Sequence, residues 1–363
     1  MVDYDVVVIG SGPAGSVAAK TLVDAGLKVV MLEQKKLPRY KMCTGMLFPG
    51  AQAFLAERYG EIPDRILSLP NKWYGYKIFP TEDTAADECM KVFFPIAPLS
   101  EPGLPQGIVN TWRDRLDYWL TERSGAEVKD ECDFKSFSIE DDIITVNAVL
   151  KENAPVGFRT KFMIGADGAS SKVRGVLFPQ FDKKISWFPC YEQWYHGTID
   201  FDPEWLYGFL DPKFTGLYSC IYKKDDFLLQ VTCGREGQSI KQLHNNFYHY
   251  LKKVHNLNVK EIVKEHGVRI NDMGPIGAFC LGKDNILAAG DAGGFVYPFG
   301  EGITGAFISG EIAAQAIIKS LESNEKAIDH YSVMIEKEVN RTKAAHTFAG
   351  KTGMDVFQEK EQK

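Results

Sequence analysis

The first stretch of the chain decides the fold. It reads DYDVVVIGSGPAGSVAAKTLVDAGLKVVMLEQ and runs from Asp3 to Gln34. A β-branched run at residues 6–9 predicts a buried parallel strand. A G-x-G-x-x-G pattern, an alanine-rich helix and a second strand at residues 28–32 follow in that order. This order indicates the phosphate-binding unit of a Rossmann-type fold.

Each residue type in this unit has a physical reason. Gly10 permits the tight turn, Gly12 lets the backbone approach a pyrophosphate, and Gly15 lets the helix pack against the strand. The helix amino terminus around Ala14 offers free N–H groups and a positive dipole end to a phosphate. Glu33 lies 23 residues after Gly10, where a carboxylate can accept hydrogen bonds from ribose hydroxyls. The sequence therefore predicts a dinucleotide site here.

Composition is that of a soluble globular protein, with 363 residues, 45% hydrophobic and 25% charged. The net charge of −6 gives no electrostatic reason to expect a nucleic acid partner. No apolar run approaches the ~18 residues that a membrane span needs, so we expect a cytoplasmic protein and leave peripheral membrane contact open. Seven scattered cysteines lack zinc spacing, so we expect no metal site and mostly reduced, buried thiols.

Two later segments favour FAD over NAD as the dinucleotide. The first is FMIGADGASSKVR, residues 162–174, and the second is NILAAGDAGGFVYPFGEGITGAFISGEIAAQAI, residues 285–317. Asp291 follows a strand, where its carboxylate can hydrogen-bond a ribityl hydroxyl. The Gly/Pro loop after it can lie against a flat ring. A helix beginning near Gly302 would direct its positive end at the charge of a reduced flavin.

With these motifs in register, the chain resembles the flavoproteins of the para-hydroxybenzoate hydroxylase fold. Within them it resembles the geranylgeranyl reductase and FixC-like branch. The likeness includes the ADG of residues 166–168 and the GDAGGFVYPFGEGI of residues 290–303. Arg113, with Leu116 and Asp117, resembles a family helix whose arginine lies near the FAD diphosphate and ribityl. Arg113 and Asp117 could also simply pair, since they are spaced i, i+4.

One segment points to the reductase branch. KMCTGMLFPGAQAFL, residues 41–55, resembles the branch's K-x-C-G-G-G-L-S-P segment, with Thr44 and Met46 in place of two glycines. In relatives this segment borders the isoalloxazine ring, and its cysteine, here Cys43, is a candidate participant in reduction. The cofactor-binding residues predicted from the motifs and the resemblance are Gly10, Gly12, Ala14, Gly15, Glu33, Gln34, Cys43, Thr44, Gly45, Arg113, Asp167, Gly290, Asp291, Pro298, Gly300, Gly302 and Ile303.

The expected fold is α/β with an α+β substrate part. A discontinuous Rossmann-type FAD-binding domain is expected from residues 1–62, 106–177 and 266–325. An antiparallel β-sheet substrate domain is expected from residues 63–105 and 178–265, and a C-terminal helical tail from residues 326–363.

Aromatic residues are dense at residues 184–234, which predict successive antiparallel strands. Strand propensity and core packing explain part of this density. The rest suits a pocket for an apolar or aromatic ligand. The candidate pocket residues are Trp194, His196, Tyr218, Tyr297 and Phe299.

The chain departs from the reductases in one motif. Archaeal geranylgeranyl reductases carry a Tyr-x-Trp-x-Phe-Pro strand, whereas GLYSCIYKK here keeps Tyr218 and has Cys220 and Tyr222 at the later aromatic positions. The tail after Lys319 is also shorter than theirs. A polycyclic substrate therefore stays open beside an isoprenoid one. The W-x-W-x-I-P motif of flavin halogenases is absent, which argues against halogenation.

The leading functional hypothesis is an FAD-dependent reductase of a C=C bond in an apolar substrate, with hydride delivered from reduced flavin N5. Cys43 is the leading proton donor, because a thiol is still largely protonated at neutral pH, and Tyr218 is a weaker candidate. One alternative is a monooxygenase that hydroxylates an aromatic substrate. Another is an electron-transfer flavoprotein that passes electrons to a quinone or a protein partner. The expected electron donor is NAD(P)H or a reduced ferredoxin or flavoprotein.

Overall fold

The computed structural model describes residues 3–95, 99 and 101–351. These residues divide into two compact units. Unit 1 is formed by Met1–Lys41, Asp114–Ile185 and Met273–Lys351, and unit 2 by Met42–Arg113 and Ser186–Asp272. Both units are therefore discontinuous in sequence.

The helices and strands are numbered in chain order. The strands are β1 (Val6–Ile9), β2 (Val29–Leu32), β3 (Met46–Leu47), β4 (Leu67–Trp73), β5 (Gly75–Phe79), β6 (Met90–Phe93), β7 (Ile108–Thr111), β8 (Glu127–Lys129), β9 (Cys132–Glu140), β10 (Ile143–Leu150), β11 (Pro155–Thr160), β12 (Phe162–Gly165), β13 (Trp187–Thr198), β14 (Trp205–Phe209), β15 (Tyr218–Lys224), β16 (Phe227–Cys233), β17 (Asn258–Asn271), β18 (Gly282–Lys283) and β19 (Ile286–Ala288). The α-helices are α1 (Pro13–Asp24), α2 (Pro49–Arg58), α3 (Arg113–Arg123), α4 (Lys172–Leu177), α5 (Ile240–Val254), α6 (Ile303–Ser323), α7 (Ala327–Met334) and α8 (Glu336–Lys351).

Unit 1 contains the predicted Rossmann-type sheet. Its strand order is β18-β19-β12-β1-β2-β8, and β1 pairs in parallel with both β2 and β12. All four residues of β1 are buried, as its β-branched sequence predicts for a central parallel strand. A smaller sheet of order β11-β10-β9 lies in the same unit.

Small residues bring two helices of unit 1 into close contact. A Cβ atom at Gly310 of α6 would overlap the backbone carbonyl of Ala14 in α1. The helix predicted to bind pyrophosphate therefore packs directly against the helix predicted to face the flavin. The predicted C-terminal tail is described only over residues 326–351, which belong to the same unit, and residues 352–363 lie outside the described part. Within residues 326–351, the hydroxyl of Tyr331 in α7 donates to the carbonyl of Ala288 over 3.0 Å.

Unit 2 is built on a seven-stranded sheet of order β17-β13-β16-β15-β14-β5-β6. The four strands predicted at residues 184–234 are confirmed as β13 to β16, and β15 is antiparallel to both β14 and β16. A second sheet, β3-β7-β4, carries residues 42–62 and 106–113 into this unit. Those residues were expected in the FAD-binding domain.

Side-chain alternation divides the aromatic residues of the large sheet between its two faces. Tyr195, Tyr207 and Phe209 form a buried cluster with Phe247 of α5. Trp194 alternates with Tyr195 along β13 and so lies on the opposite face. About half of the aromatic residues in this region therefore pack in the core. This agrees with the expectation that strand propensity and core packing explain part of the aromatic density.

Cysteine pairing occurs once among the described residues, between Cys190 and Cys233. These two residues lie directly opposite each other on β13 and β16. The other five cysteines are free, and all of them except Cys43 are buried.

Across the described residues, no helix combines the length and the apolar character that crossing a membrane requires.

Candidate functional site

The glycine turn of unit 1 is assembled from three chain segments. A Cβ atom at Gly10 would lie 2.5 Å from the Ala166 carbonyl oxygen and 3.2 Å from the Asp167 Cα. A Cβ atom at Gly290 would lie 3.0 Å from the Ala14 Cβ. The structure thus brings together residues from three motifs that are separated by more than a hundred positions in the chain. Helix α1 begins after Gly12 without any side-chain cap, so its first N–H groups can bind an anion.

Glu33 lies at the end of β2 and is buried. One carboxylate oxygen, Oε2, accepts hydrogen bonds from Ser11 Oγ at 2.9 Å and from Arg39 Nε at 2.8 Å. Among the described residues, Oε1 accepts only the Lys35 N–H, at 3.0 Å. A carboxylate oxygen can accept two hydrogen bonds, so Oε1 can still receive a ribose hydroxyl.

Arg39 is a residue of this site that sequence reasoning missed. Its guanidinium joins Glu33 to Asp117 of α3, with Nη1 2.9 Å from the Asp117 carboxylate. Its Nη2 would lie 3.7 Å from a Cβ atom at Gly12. Arg39 therefore neutralises two buried carboxylates beside the phosphate-binding turn. Its only sequence signal was its place six residues after Glu33, which does not distinguish it from a surface arginine.

Asp167 uses its carboxylate within the protein. The carboxylate accepts hydrogen bonds from Ser171 Oγ at 2.5 Å and from the N–H groups of Lys172 and Val173 at 2.7 and 3.1 Å. These contacts hold the amino terminus of α4. The part of Asp167 that lies beside Gly10 is its backbone, so its predicted role in cofactor binding depends on the backbone and not on the carboxylate.

The second flavin motif ends β19 and begins α6. The Gly290 N–H donates to Ser309 Oγ of α6 at 2.8 Å, which fixes the turn to the helix. The Asp291 carboxylate lies against the first turn of α6, with Oδ1 2.9 Å from the position of a Cβ atom at Gly302. In the described part of the chain, this half-buried carboxylate accepts no hydrogen bond, so it can accept one from a ligand hydroxyl.

Glu301 also borders the first turn of α6, and sequence reasoning did not select it. Its carboxylate is buried and accepts the Thr304 N–H at 2.9 Å. Burial raises its pKa to about 7, and the negative charge of Asp291 adds to this, while the positive charge of Arg341 opposes it. This carboxyl group therefore titrates near neutral pH.

Tyr297 is buried against α8. Its side chain is 1% exposed, and its hydroxyl donates to Glu338 of α8. The structure thus directs Tyr297 into the contact with α8 and not toward an open pocket. Pro298 and Gly300 form a short 3-10 turn just before α6, and Ile303 is the first residue of that helix. The side chain of Phe299 lies outside the described part of the structure.

Unit 2 holds the other predicted site residues. Cys43 is half-buried, and its Sγ accepts the Gly45 N–H at 3.4 Å. Tyr218 is half-buried as well. Burial raises the pKa of Tyr218, and the charges of Cys220, Cys43 and Glu192 add to this shift. Cys43 and Tyr218 are therefore electrostatic neighbours within one unit.

One face of the large sheet collects the predicted pocket residues of unit 2. Trp194 and His196 alternate on β13, and the register through β16 places Tyr218 on the same face. Trp194 lies 4.9 Å from Trp112 between ring centroids, and its indole N–H donates to the buried Glu192 at 2.7 Å.

The predicted site residues also include Arg113, Thr44, Gln34 and His196. Arg113 is buried and begins α3, and Thr44 is half-buried beside Cys43. Gln34 is exposed. His196 is half-buried and packs on Phe227, with ring centroids 4.8 Å apart.

The donors and acceptors of unit 1 fit a dinucleotide with a flavin. The uncapped α1 terminus suits the pyrophosphate, Glu33 Oε1 suits a ribose hydroxyl, and Asp291 suits a ribityl hydroxyl. Removing the Asp291 carboxylate should therefore weaken FAD binding.

Asp291→Ala should raise the dissociation constant for FAD by about tenfold, because a hydrogen bond to a charged group contributes about 1.5–3 kcal/mol. Titration of the flavin-free protein with FAD, followed by flavin fluorescence, measures this change. Asp226→Ala, which removes an exposed aspartate of unit 2, serves as the control and should bind FAD as the wild type does. Equal affinity in both variants would remove Asp291 from the site.

Comparison with known proteins agrees with this geometry. Residues 4–70 match the model of the family described as pyridine nucleotide-disulphide oxidoreductase. Digeranylgeranylglycerophospholipid reductase of Methanosarcina acetivorans is 27% identical over 351 residues, which cover 93% of this chain and 81% of that protein. Geranylgeranyl diphosphate reductase of Rhodobacter capsulatus is 28% identical over 337 residues, which cover 89% of this chain and 77% of that protein.

Solved structures share the fold. A geranylgeranyl bacteriochlorophyll reductase-like protein from Thermoplasma acidophilum superposes with a TM-score of 0.72 at 19% identity, covering 95% of this chain and 87% of that one. Aklavinone-11 hydroxylase, in a complex with FAD and aklavinone, gives a TM-score of 0.68 at 18% identity, covering 91% of this chain and 65% of that one.

The fold, the dinucleotide site and these likenesses define an FAD-dependent oxidoreductase with a para-hydroxybenzoate hydroxylase-like fold. Within that class, the chain is similar to two proteins named as geranylgeranyl reductases, which agrees with the resemblance that its motifs indicated. These likenesses and the donors and acceptors of unit 1 support FAD as the cofactor, as the two later flavin segments predicted.

Proposed function

We propose that this protein reduces a C=C bond in an apolar isoprenoid or polycyclic substrate. The observation that carries the proposal is the similarity to two proteins named as geranylgeranyl reductases, which extends over about nine-tenths of the chain. Reduced FAD, when bound, supplies a hydride from N5 to one carbon of the double bond. The protein must then supply a proton to the other carbon and shield the substrate from water.

Cys43 is the proposed proton donor. It is the one free cysteine that is not buried, and it lies in the segment that resembles the reductases. The thiol would give its proton to the second carbon, so that the π bond is replaced by two C–H bonds and the sulfur is left as a thiolate. The Gly45 N–H, 3.4 Å from Sγ, would then donate to a charged acceptor, which makes a stronger hydrogen bond. Because Cys43 is half-buried, water can return the proton.

The sheet face around Trp194 and Tyr218 would hold the apolar substrate. Trp194 and Trp112 pack against each other there, and ligand pockets are mostly lined by such apolar side chains. The Tyr218 hydroxyl stays neutral at physiological pH because burial raises its pKa. Tyr218 would therefore orient the substrate or assist Cys43 as a hydrogen-bond donor. The electrons would come from NAD(P)H or from a reduced ferredoxin or flavoprotein.

Cys43→Ser tests the proton donor. A serine hydroxyl is a far weaker acid than a thiol, so oxidation of the reduced flavin by a geranylgeranyl substrate should slow by about tenfold or more. Stopped-flow absorbance without oxygen measures this rate, and FAD content should not change. Cys89→Ser is the matched control, because it makes the same exchange at a buried free cysteine of unit 2, and it should react at the wild-type rate. Wild-type kinetics in Cys43→Ser would return the cysteine to a structural role.

A further inference from the structure

Lys224 is a buried cation that no sequence motif predicted. It is the last residue of β15, and only 1% of it is exposed. Its ammonium donates three hydrogen bonds, to the Thr44 carbonyl at 2.6 Å, the Thr111 carbonyl at 2.6 Å and Asn110 Oδ1 at 2.7 Å. An ammonium has three donors, so this geometry satisfies all of them with acceptors from the Cys43 segment and from β7.

Two tryptophan rings enclose this ammonium. Nζ lies 4.9 Å from the ring centroid of Trp112 and 5.5 Å from that of Trp73. Cation–π attraction contributes to holding the charge there. The surrounding rings also lower the local dielectric constant, so the charge acts more strongly on neighbouring groups than it would in water.

The segment that Lys224 binds is held in an unusual backbone conformation. Gly45 has a φ angle of +71°, which favours glycine, and a Cβ atom there would overlap the Thr111 carbonyl oxygen and lie 3.3 Å from Lys224 Nζ. Thr111 Oγ1 and the Thr111 N–H donate to the Gly45 carbonyl at 2.7 and 3.0 Å. Residues 43–45 are therefore fixed between β7 and the lysine.

We propose that Lys224 is a positioning residue for Cys43. It fixes the backbone of the Cys43 segment and places its ammonium group beside it, where a positive charge stabilises the thiolate left after proton donation. This inference rests on the proposed function only in that Cys43 is the proton donor. The coupling between Lys224 and the thiol can be measured without any substrate.

Three other ionisable groups of unit 2 do not supply this positive charge. Tyr218, which interacts with the charge of Cys43, stays neutral because burial raises its pKa. Asp225 directs its carboxylate to Trp112 Nε1 and to the Leu69 N–H, both at 2.7 Å. Glu192 accepts the indole N–H of Trp194. These groups are neutral or negative and would not stabilise a thiolate.

The test is alkylation of the FAD-loaded protein by iodoacetamide. Mass spectrometry follows the reaction at Cys43 from about pH 6 to pH 9.5, a range that spans ordinary thiol ionisation. Only the thiolate reacts, and the other four free cysteines are buried, so the native protein reports mainly Cys43. Lys224→Gln removes the charge and keeps N–H donors. Lys224→Arg keeps the charge, and Lys223→Gln removes the exposed neighbouring lysine.

The expected result is that Lys224→Gln alkylates about tenfold more slowly near pH 7, with its profile moved to higher pH, because a nearby cation favours the thiolate. Lys224→Arg and Lys223→Gln should stay within about twofold of the wild type. In turnover, Lys224→Gln should lower kcat and leave KM nearly unchanged, since it acts on proton donation and not on substrate binding.

Identical alkylation profiles for Lys224→Gln and the wild type would overturn the inference, whatever the melting temperatures show. If Lys224→Gln does not fold, Lys224→Arg is the deciding variant. An alkylation profile of Lys224→Arg that moves to higher pH by the amount expected for Lys224→Gln would contradict a role for the charge. The proposed function fails separately. A fully active Cys43→Ser variant would exclude Cys43 as the proton donor even where the alkylation profile depends on Lys224.

Discussion

Gly12→Val should leave the protein folded and raise the dissociation constant for FAD by about a hundredfold, or about 2.7 kcal/mol. The only neighbour that a Cβ atom at Gly12 would approach within 4 Å is the flexible end of Arg39, at 3.7 Å. The backbone there is extended, with φ −77° and ψ −174°, a conformation that valine adopts readily. The added side chain would therefore occupy the space through which a pyrophosphate approaches α1.

Titration of the flavin-free variants with FAD, together with their melting temperatures, checks this prediction. Gly157→Val adds the same side chain to β11, where the nearest atoms lie 4.0 Å away, and should bind FAD normally. Gly15→Val should fail differently, because its Cβ would overlap the Gly10 carbonyl and disturb the fold itself. Wild-type affinity in Gly12→Val would place the pyrophosphate elsewhere.

Glu301 should make the flavin-free protein lose stability as the pH rises from about 4.5 to about 7. Burial raises the pKa of this carboxyl group from 4.5 to about 7, so the folded state holds a proton that the unfolded state releases. The stabilising contribution is complete below pH 4.5 and is lost as the pH rises through 7. Since one pKa unit corresponds to about 1.4 kcal/mol, the loss amounts to about 3 kcal/mol.

Denaturant unfolding of the flavin-free protein at several pH values measures this effect. Glu301→Gln cannot ionise, so its free energy of unfolding should vary less across this window and exceed that of the wild type above neutral pH. Glu322→Gln, at an exposed position near the end of α6, is the matched control and should follow the wild type. Parallel pH curves for Glu301→Gln and the wild type would show that Glu301 does not titrate near neutrality.

Much of the fold could be predicted because its signals are local. The strand, glycine turn and helix at residues 6–24 follow one another without interruption, and the structure confirms each of them. The strands β13 to β16 of unit 2 carry β-branched and aromatic runs bounded by turns, and they too were predicted. The domain boundaries were harder to predict from the sequence. Strands β3 and β7 of unit 2 pair with each other although they lie about sixty residues apart in the chain.

Lys224 and Arg39 could not be predicted, because their roles depend on partners distant in sequence. Lys224 binds the Thr44 carbonyl across 180 residues, and Arg39 binds Asp117 across 78. In a strand, a lysine at such a position is normally exposed, and no local pattern reports its burial. Tyr297 shows the opposite case, since its motif indicated a place near the flavin but α8 provides the partner for its hydroxyl.

The proposed reaction is the reduction of a double bond without insertion of oxygen. Its most direct test is a single turnover of the reduced, FAD-loaded protein with geranylgeranyl diphosphate in the absence of oxygen, with the product analysed by mass spectrometry. We expect the flavin to be oxidised and a matching amount of product to gain two hydrogen atoms. A flavin that stays reduced until oxygen is admitted, together with a hydroxylated product, would contradict the proposed reaction.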